Sequence, residues 1–337
     1  MNSDIQRLTK YFVPIYDRST DHHSTMITEF LITNREKRKR LDMFLVYRQP
    51  EISRSRLQRL IEEGRIRVNT HIVKPSQKIK PGDRITMDQP QASDLRIMGR
   101  TIALDILHED EALIVVNKPA GIVMHPTSGN WSGTLLNGLL SHFQATNQEP
   151  LTPGIVHRLD KDTSGVLVIA KNRNAHRTLA KQFETHTITR HYEAITLHTP
   201  TKKEGVIDLA IGRDTYQSKK HSSQTLTPRS AITEYRAIQQ WPTLASHIML
   251  SPRTGRTHQL RVHLASLGTP ILGDFLYGGT QACRIVGIVI PRVMLHAHTL
   301  GFQHPVSGKF TEYTIDAPSD MQIVRTHLER IDNSIQA

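Results

Sequence analysis

The sequence predicts an α+β protein in two parts, a small helical and β module at residues 36–88 and a larger domain at residues 103–330. In the first part, two stretches with apolar residues at helical spacing precede short stretches whose apolar residues alternate as in strands. In the second part, many short β-like stretches are interspersed with few helical ones, which favours a mixed, largely antiparallel sheet with flanking helices. A chain of 337 residues is long enough for two such domains.

The segments outside these two parts are polar. Residues 1–35 show little periodicity, and we expect them to form an extension with little structure of its own. Residues 89–102 have the composition of a linker. The sequence shows no secretory signal, no window near the roughly 18 apolar residues of a membrane-spanning helix, and a single cysteine, Cys283. We therefore expect a cytoplasmic protein without membrane contact or disulfides.

The module is predicted to begin with two short helices. The first includes Leu41 and Leu45, and the second has a start signal at Ser53 and a stop signal at Gly64. Short strands follow Gly64, with turns predicted at residues 69–70 and 81–83. The module is therefore a pair of helices followed by a small sheet.

Positive charge is concentrated in this module. The chain carries 43 Lys and Arg against 31 Asp and Glu, a net charge of +12, and residues 36–87 hold 14 of the former and 6 of the latter. Arg54, Arg56 and Arg59 cluster at the start of the second helix, where free N–H groups also attract anions. They form a candidate phosphate-binding surface, with a solvated charged face as the alternative reading of the same residues.

The residues of the module also resemble a known RNA-binding domain. The motifs Arg40-Leu41-Asp42, Ser53-Arg54-Ser55-Arg56-Leu57, Ile61 to Asn69 and Lys80-Pro81-Gly82-Asp83-Arg84-Ile85 are similar to those of the ribosomal protein S4 type of RNA-binding domain. Thr70 departs from the pattern, because the family usually has Gly after the Asn. The resemblance implies an RNA partner for this part of the chain.

The larger domain is predicted to contain eight strands and three helices. The strands cover residues 112–116, 166–170, 192–197, 206–211, 231–238, 246–250, 294–300 and 311–315. The helices cover residues 175–183, 258–266 and 320–329. The helices do not alternate regularly with the strands, so a doubly wound parallel sheet is not expected.

The candidate reactive group of this domain is Asp160. It lies in the run His157-Arg158-Leu159-Asp160-Lys161-Asp162-Thr163-Ser164-Gly165, between two apolar stretches. A run so rich in ionisable residues between buried strands is costly unless it lines a site. A nearby cation would keep the carboxylate ionised, and Arg158 and Arg261 are the candidates. A surface loop with a structural ion pair is the alternative.

Three further segments carry candidate site residues. Residues 254–263 contain Arg256 and Arg261 at a predicted helix start, residues 117–121 contain Lys118 after a strand, and residues 190–194 contain Tyr192. An aromatic residue at a strand start is more often part of the core. It becomes a functional candidate where a flipped base needs a surface on which to stack.

These four segments, in this order, resemble the RluA-type pseudouridine synthases over nearly all of residues 103–320, and residues 125–137 are most similar to the RluD-like subgroup. The resemblance implies a pseudouridine synthase catalytic domain that flips a uridine, cleaves its C1′–N1 bond and rejoins the base through C5. It also implies no cofactor and no metal. The expected partner is large-subunit ribosomal RNA or a pre-ribosomal particle, and the expected state is a monomer.

The resemblance also implies a role for each site residue. Asp160 would start cleavage of the bond, Tyr192 would stack on the base and help to remove the C5 proton, and Arg261 would pair with the aspartate. Arg158 would enter the RNA and fill the space of the flipped nucleotide. His157, Lys118 and Arg256 would complete the RNA-binding side of the site.

Other functions remain open at this point. A retaining glycosidase would need a second carboxylate, and Asp162 is too near in sequence to supply it. Ser164 lacks the Gly-x-Ser-x-Gly motif of many hydrolases. His258 and His263 are five apart, which does not match the i, i+4 spacing of a helical metal site. A tRNA substrate, or a non-catalytic RNA-binding ribosome assembly factor, are the remaining alternatives, and the route of cleavage, C1′ attack or C2′ deprotonation, is also open.

Overall fold

The computed structural model describes residues 25–49, 52, 54–90, 102–125, 133–145, 154–217, 220–242, 244–285 and 287–336. The chain divides into two compact units, Met1–Arg96 and Ile97–Ala337. Residues 1–24 of the predicted extension, residues 91–101 of the predicted linker and residues 126–132 of the RluD-like segment lie outside the described part.

The first unit contains two helices and a four-stranded sheet. In chain order the elements are β1 (Thr25–Leu31), α1 (Leu41–Arg48), α2 (Arg54–Glu62), β2 (Ile66–Val68), β3 (His71–Ile72) and β4 (Arg84–Pro90). The strands lie in the order β1-β4-β2-β3, and every pair is antiparallel. The apolar faces of both helices pack with the strands in one core that includes Leu41, Leu57 and Ile85, all fully buried.

Strand β1 corrects the prediction that residues 1–35 have little structure of their own. It pairs along its whole length with β4, which itself extends to Pro90 and so into the predicted linker. Its apolar residues lie on both faces: Phe30 packs edge-on against Phe44 with ring centroids 5.8 Å apart, while Ile27 and Leu31 are exposed. Apolar residues on both faces blur the alternation from which a half-buried strand is predicted.

The second unit contains the larger sheet. Its strands are β5 (Asp105–Glu109), β6 (Leu113–Lys118), β7 (Ser164–Ala170), β8 (Thr189–Leu197), β9 (Glu204–Asp208), β10 (Gly212–Arg213), β11 (His221–Ser222), β12 (Ile232–Trp241), β13 (Ala245–Pro252), β14 (Arg284–Ile285), β15 (Ile288–Val289), β16 (Leu295–Gln303) and β17 (Phe310–Thr314). Its helices are α3 (Leu135–Ala145), α4 (Arg173–Glu184), α5 (Gln259–Ser266), α6 (Phe275–Gly278) and α7 (Ser319–Gln336). All eight predicted strands and all three predicted helices correspond to observed elements, and the additional ones are β5, the two-residue strands β10, β11, β14 and β15, and the helices α3 and α6.

Nine of these strands form one mixed sheet. The order is β5-β6-β7-β16-β8-β13-β12-β9, with β17 paired to β16. Only β7 and β16 pair in parallel, so the predicted α+β class with a largely antiparallel sheet is confirmed. At this pair Gly165 has φ +126°, and a Cβ there would lie 2.3 Å from the Ala297 carbonyl oxygen. Only glycine therefore allows the two strands to approach as closely as they do.

Helices cover both faces of the sheet. Strands β6 and β7 present alternate residues to each side, with α4 packed on one face and α3 on the other. Helices α5 and α7 pack on the remaining strands, where Ile195, Ile248 and Leu264 are fully buried. Within the described residues, no helix combines the length and hydropathy needed to cross a membrane.

Candidate active site

The backbone of the Asp160 loop is held from three sides. The carbonyl of Lys161 accepts hydrogen bonds from the Gly121 N–H at 2.9 Å and from the ammonium of Lys118 at 3.1 Å. The carbonyl of Asp162 accepts from the Arg292 guanidinium at 3.2 Å. Because the main chain is fixed by these contacts, the loop between residue 157 and β7 can present the Asp160 side chain to the adjoining cleft.

Lys118 has a structural position that the sequence did not indicate. Its side chain is fully buried, and its ammonium donates to the carbonyls of Pro119, Ile122 and Lys161 at 2.9 to 3.1 Å. Burial lowers the pKa of the ammonium to about 8, against the opposing charges of Asp162 and Asp160. The predicted RNA contact of Lys118 is not compatible with this position, because the ammonium is enclosed by the loop that it supports.

Arg261 connects Asp160 to a second carboxylate. Its Nη1 lies 3.2 Å from Asp160 Oδ2, while its Nε and Nη2 donate to the two oxygens of Asp274 at 2.7 and 2.9 Å. Asp274 is fully buried, and Arg261 is nearly so. Burial alone would lower the pKa of Arg261, but the hydrogen bonds and charge of Asp274 and the charge of Asp160 raise it. The fork is therefore a permanent cation that is oriented by Asp274 and directed at Asp160.

The backbone explains how Asp274 reaches this position. Asp274 caps α6 by accepting from the Tyr277 N–H, and it follows Gly273, which has φ +79°. A Cβ at Gly273 would lie 1.7 Å from the Arg292 carbonyl oxygen, so only glycine fits. The contact of Asp274 with Arg261 joins residues 13 positions apart across a turn that the sequence does not define.

A hydrogen-bonded chain reaches Asp160 from the other side. The backbone N–H of His221 donates to Tyr277 Oη at 3.0 Å, and Tyr277 Oη lies 2.9 Å from His258 Nδ1. Since Tyr277 Oη accepts from His221, its own proton is free to be donated to Nδ1, which places the neutral imidazole's proton on Nε2. That Nε2 is 3.8 Å from Asp160 Oδ2.

Burial sets the protonation of this chain. It lowers the pKa of His258, which the charge of Asp160 partly offsets, and it raises the pKa of Tyr277 to about 12. In the resulting arrangement, Arg261 Nη1 and His258 Nε2 lie nearest to the same oxygen of Asp160, Oδ2. Sequence reasoning considered His258 only as a metal ligand and did not single out Tyr277, because neither its burial nor its partners are visible in one sequence.

Tyr192 forms part of the cleft wall. It is half-buried on β8, where it pairs in register with Leu250 and Ala297 and packs against two hydrophobic clusters. Burial raises the pKa of its hydroxyl, and the charge of Asp160 acts in the same direction while that of Arg190 opposes it. The phenol is therefore protonated at neutral pH, and the exposed part of the ring offers a surface for stacking.

His157 is packed against the protein. Its ring stacks on Phe183 with centroids 4.4 Å apart, and its Nε2 accepts from the Val168 N–H at 3.1 Å. Burial lowers the pKa of His157 to about 3, so the imidazole is neutral. It lines the cleft, but a neutral ring with these contacts positions the loop and does not attract phosphate.

The cleft itself has a volume of about 640 Å³ and is lined by the Asp160 loop, the end of α4 and the start of α5. Arg158, Arg190 and Arg256 line it together with Tyr192 and Asp160. Arg158 is exposed, and none of the ion pairs found among the described residues involves it. Arg190 has a buried Nε without a hydrogen-bond partner in the described structure, while its Nη2 donates to the carbonyls of Pro252 and Thr254.

The arginines predicted for the first unit have partners of their own. Arg54 donates to Asp42, a buried carboxylate that also binds Arg40, and Arg59 pairs with Glu63 at 2.7 Å. About half of the Arg54 side chain is still exposed. The side chain of Arg56 lies outside the described part of the structure.

Other groups of the second unit do not form a competing site. Among the described residues, no cluster of three or more His, Cys, Asp or Glu side chains could hold a metal ion. Ser164 Oγ lies 2.9 Å from His296 Nδ1, but both are buried and neither lines the cleft. Burial raises the pKa of the Cys283 thiol, which disfavours the reactive thiolate.

Family models match both units of the chain. Residues 112–266 match the RNA pseudouridylate synthase family, and residues 39–85 match the S4 domain. An uncharacterised RNA pseudouridine synthase of Bacillus subtilis is 38% identical over 85% of this chain and 93% of its own length. A protein of Nitrosomonas europaea named ribosomal large subunit pseudouridine synthase D is 40% identical over 88% of this chain and 86% of its own.

The fold is similar to that of solved structures with the same chemistry in their names. Human RNA pseudouridylate synthase domain containing 4 superposes with a TM-score of 0.55 at 26% identity, covering 66% of this chain and 92% of that one. Human RNA pseudouridylate synthase domain containing 1 gives 0.51 at 25% identity, covering 67% and 95%. The predicted family is confirmed: this chain belongs to the RNA pseudouridylate synthases and has an S4 domain ahead of its catalytic domain.

Proposed function

We propose that this enzyme isomerises uridine to pseudouridine in large-subunit ribosomal RNA, with Asp160 as the group that starts cleavage of the C1′–N1 bond. The observation that carries the role of Asp160 is its contact with Arg261 at 3.2 Å, at the edge of a cleft large enough for a base. Relatives such as the Nitrosomonas europaea protein, named ribosomal large subunit pseudouridine synthase D, support the RNA class.

The proposed reaction leaves the atoms of uridine conserved. In one route an Asp160 oxygen attacks C1′ as the N1 bond breaks, and the base turns so that C5 attacks C1′ and displaces the carboxylate. The C5 proton is then lost and N1 gains a proton. In the other route Asp160 first removes the C2′ proton as the C1′–N1 bond breaks, which leaves a double bond between C1′ and C2′. C5 of the turned base then adds to C1′ while Asp160 returns the proton to C2′, and the C5 proton is again lost as N1 gains one. Both routes need an ionised carboxylate with one free oxygen, and the approach of Arg261 and His258 to Oδ2 leaves Oδ1 for this purpose.

The remaining residues fit binding of a flipped nucleotide. Unstacking a base costs a few kcal/mol, which stacking on Tyr192 and insertion of Arg158 into the vacated space would offset. Arg256 would contact the adjoining backbone, and Arg54, Arg56 and Arg59 of the S4 domain would bind phosphates. The enzyme would act as a monomer on cytoplasmic pre-ribosomal particles.

The test is the Asp160→Asn variant, with Asp162→Asn as the control, since it makes the same charge change in the same loop. Asp160→Asn should abolish pseudouridine formation on ribosomal RNA while leaving RNA affinity within a few-fold, whereas Asp162→Asn should keep activity. Mapping pseudouridines in RNA from cells with and without the protein identifies the substrate. Missing sites in tRNA alone would contradict the ribosomal assignment, and activity that survives Asp160→Asn would contradict the catalytic one.

A further inference from the structure

We propose that the exposed face of α4 and the adjoining β16–β17 hairpin bind the sugar–phosphate backbone of the substrate RNA beside the flipped nucleotide. This inference rests on the proposed function for the nature of its ligand. It assigns a second RNA-binding surface to the catalytic domain, outside the cleft. The surface is called the α4 stripe here and consists of Arg173, Arg177 and Lys181.

The α4 stripe is a row of cations without partners in its own unit. The three residues are four positions apart, so they lie on one face of the helix, and all three are exposed. None of them forms an ion pair with another residue in the described ranges. Like charges at this spacing disfavour a helix, and a cation at its first residue opposes the helix dipole. The stripe therefore weakens its own helix, and an anion outside the unit would supply the counterpart that the described residues do not.

The stripe borders a groove. Arg177 and Lys181 form one wall of a groove of about 500 Å³, and the turn of the β16–β17 hairpin, residues 304–308, contributes the other wall. The side chains that line it are neutral or basic, with no carboxylate among the described residues there. Its charge is complementary to phosphate.

Hydrogen bonds between the two walls fix the shape of the groove. Gln182 on α4 makes two hydrogen bonds with the backbone of Gln303, as donor to the carbonyl and as acceptor from the N–H, each 2.8 Å long. The hairpin turn is fixed in turn by His304, whose Nε2 lies 2.8 Å from Asp110 Oδ2. Asp110 also accepts from the N–H groups of Ala112 and Leu113, so its oxygens are engaged within the unit, and it does not line the groove. A preformed groove of this kind binds without first having to be ordered.

The position of the groove relates it to the cleft. The same turn of α4 serves both, since Gln182 and Thr185 line the groove while Phe183 and Glu184 line the cleft. At about 1.5 Å per helical residue, Arg177 is roughly 9 Å and Arg173 roughly 15 Å along the helix from Phe183. A stacked strand advances about 3.4 Å per nucleotide, so the stripe lies beside about three to five nucleotides next to the flipped one.

RNA fits this surface better than an acidic protein does. The end of α4 lines the cleft through Phe183 and Glu184, so the neighbours of a nucleotide in the cleft can run along this helix. Their phosphates are regularly spaced, as the stripe is, and no carboxylate among the described residues of the groove would repel them.

The test compares RNA affinity at two salt concentrations. The variant R173A/R177A/K181A and the control K202A/K203A/R236A each remove three exposed cations, and those of the control line neither the cleft nor the groove. Each phosphate contact contributes a slope of about 0.7 to 0.9 in log affinity against log salt. The loss of three contacts should therefore make the ratio of variant Kd to wild-type Kd about 20- to 40-fold smaller at about 200 mM salt than at about 50 mM salt.

Filter binding of transcribed large-subunit ribosomal RNA measures these values, and all variants carry Asp160→Asn so that turnover does not disturb binding. A parallel set with Asp160 intact should keep wild-type kcat at saturating RNA, which shows that the stripe variant is folded. A salt slope equal to that of wild type, or the same change in the control, would overturn the proposal. Either result is independent of Asp160, so it is distinguishable from a failure of the proposed chemistry.

Discussion

Replacing Asp274 by Asn tests whether the buried carboxylate orients the cation at the reacting group. Asn keeps the shape and one acceptor, but its amide NH₂ then faces an N–H of Arg261 in place of a carboxylate oxygen. One of two charge-assisted hydrogen bonds, at 2.7 and 2.9 Å, is lost, and the Arg261 charge stays buried. Breaking such a pair costs about 3–5 kcal/mol, which corresponds to a Tm decrease of about 6–20 °C for a domain of this size.

The same substitution should affect catalysis more than binding. With one of its two bonds to residue 274 lost, Arg261 is less firmly oriented toward Asp160, which it contacts at 3.2 Å, and misplacement by about 1 Å can lower kcat by about 100-fold. The KM for RNA should change only a few-fold, because Asp274 is fully buried and cannot touch the substrate. Single-turnover measurement of tritium release from uridine labelled at C5 gives the rate of the reaction and its dependence on RNA concentration. Calorimetric melting gives the Tm.

The control is Asp320→Asn, which alters another two-bond pair, with Arg292 at 2.6 and 2.8 Å. Asp320 is about one third exposed, and Arg292 keeps its three carbonyl acceptors, so stability should fall less and kcat should stay within about threefold of wild type. If Asp274→Asn loses stability yet keeps kcat near the wild-type value, Asp274 does not orient the catalytic arginine.

Three further substitutions test other parts of the domain. The variant His157→Gln should lose less stability than the wild type when the pH falls. Because His157 has a native pKa of about 3 and an unfolded pKa of about 6.5, the wild type loses up to about 1.4 kcal/mol of unfolding free energy per pH unit between those limits. Urea midpoints at pH 7 and pH 5 measure this difference. An equal pH slope in both proteins would contradict this. Gly165→Ala should cost about 2–6 kcal/mol in urea unfolding, because φ +126° and the close carbonyl exclude a Cβ; a loss below about 1 kcal/mol would show that the strands can separate cheaply. Tyr277→Phe should lower kcat about tenfold at unchanged KM, because His258 then loses the donor that fixes its proton toward Asp160; wild-type kcat would remove the hydroxyl from the mechanism.

Much of the fold follows from local patterns. The apolar residues of the buried strands and of the amphipathic helices recur at spacings that can be recognised in a single sequence. Helix α3 was missed because its residues Leu135, Leu136 and Leu139 face a core on more than one side, and Gly138 interrupts the helical pattern. Gly138 is there because a Cβ would lie 3.1 Å from Leu104 and 3.2 Å from Ile102, which is a contact between distant segments.

The site was predictable where its residues are contiguous. The run around Asp160 and the segment with Arg261 stand out as dense groups of charge, and the structure brings the two side chains together. Asp274 and Tyr277 became visible as parts of the site only with the tertiary contacts that join them to α5. Lys118 was assigned to RNA for the opposite reason: sequence shows a cation, but the carbonyls that enclose it come from three different positions of the folded chain.

The single parallel pair of the sheet has a consequence for the order of synthesis. Ser164 and His296, which are partners in that pair, are 132 positions apart, and Arg292, which supports the Asp160 loop, lies three residues before β16. At about 5–20 residues per second, roughly 7–26 s separate the translation of one partner from that of the other. During this interval the apolar edge of β7 is unpaired and exposed to wrong association. The nascent chain has Asp160, the carboxylate proposed to cleave uridine, long before it has the segment that supports its loop, so we expect the enzyme to become competent only when nearly all of it has left the ribosome.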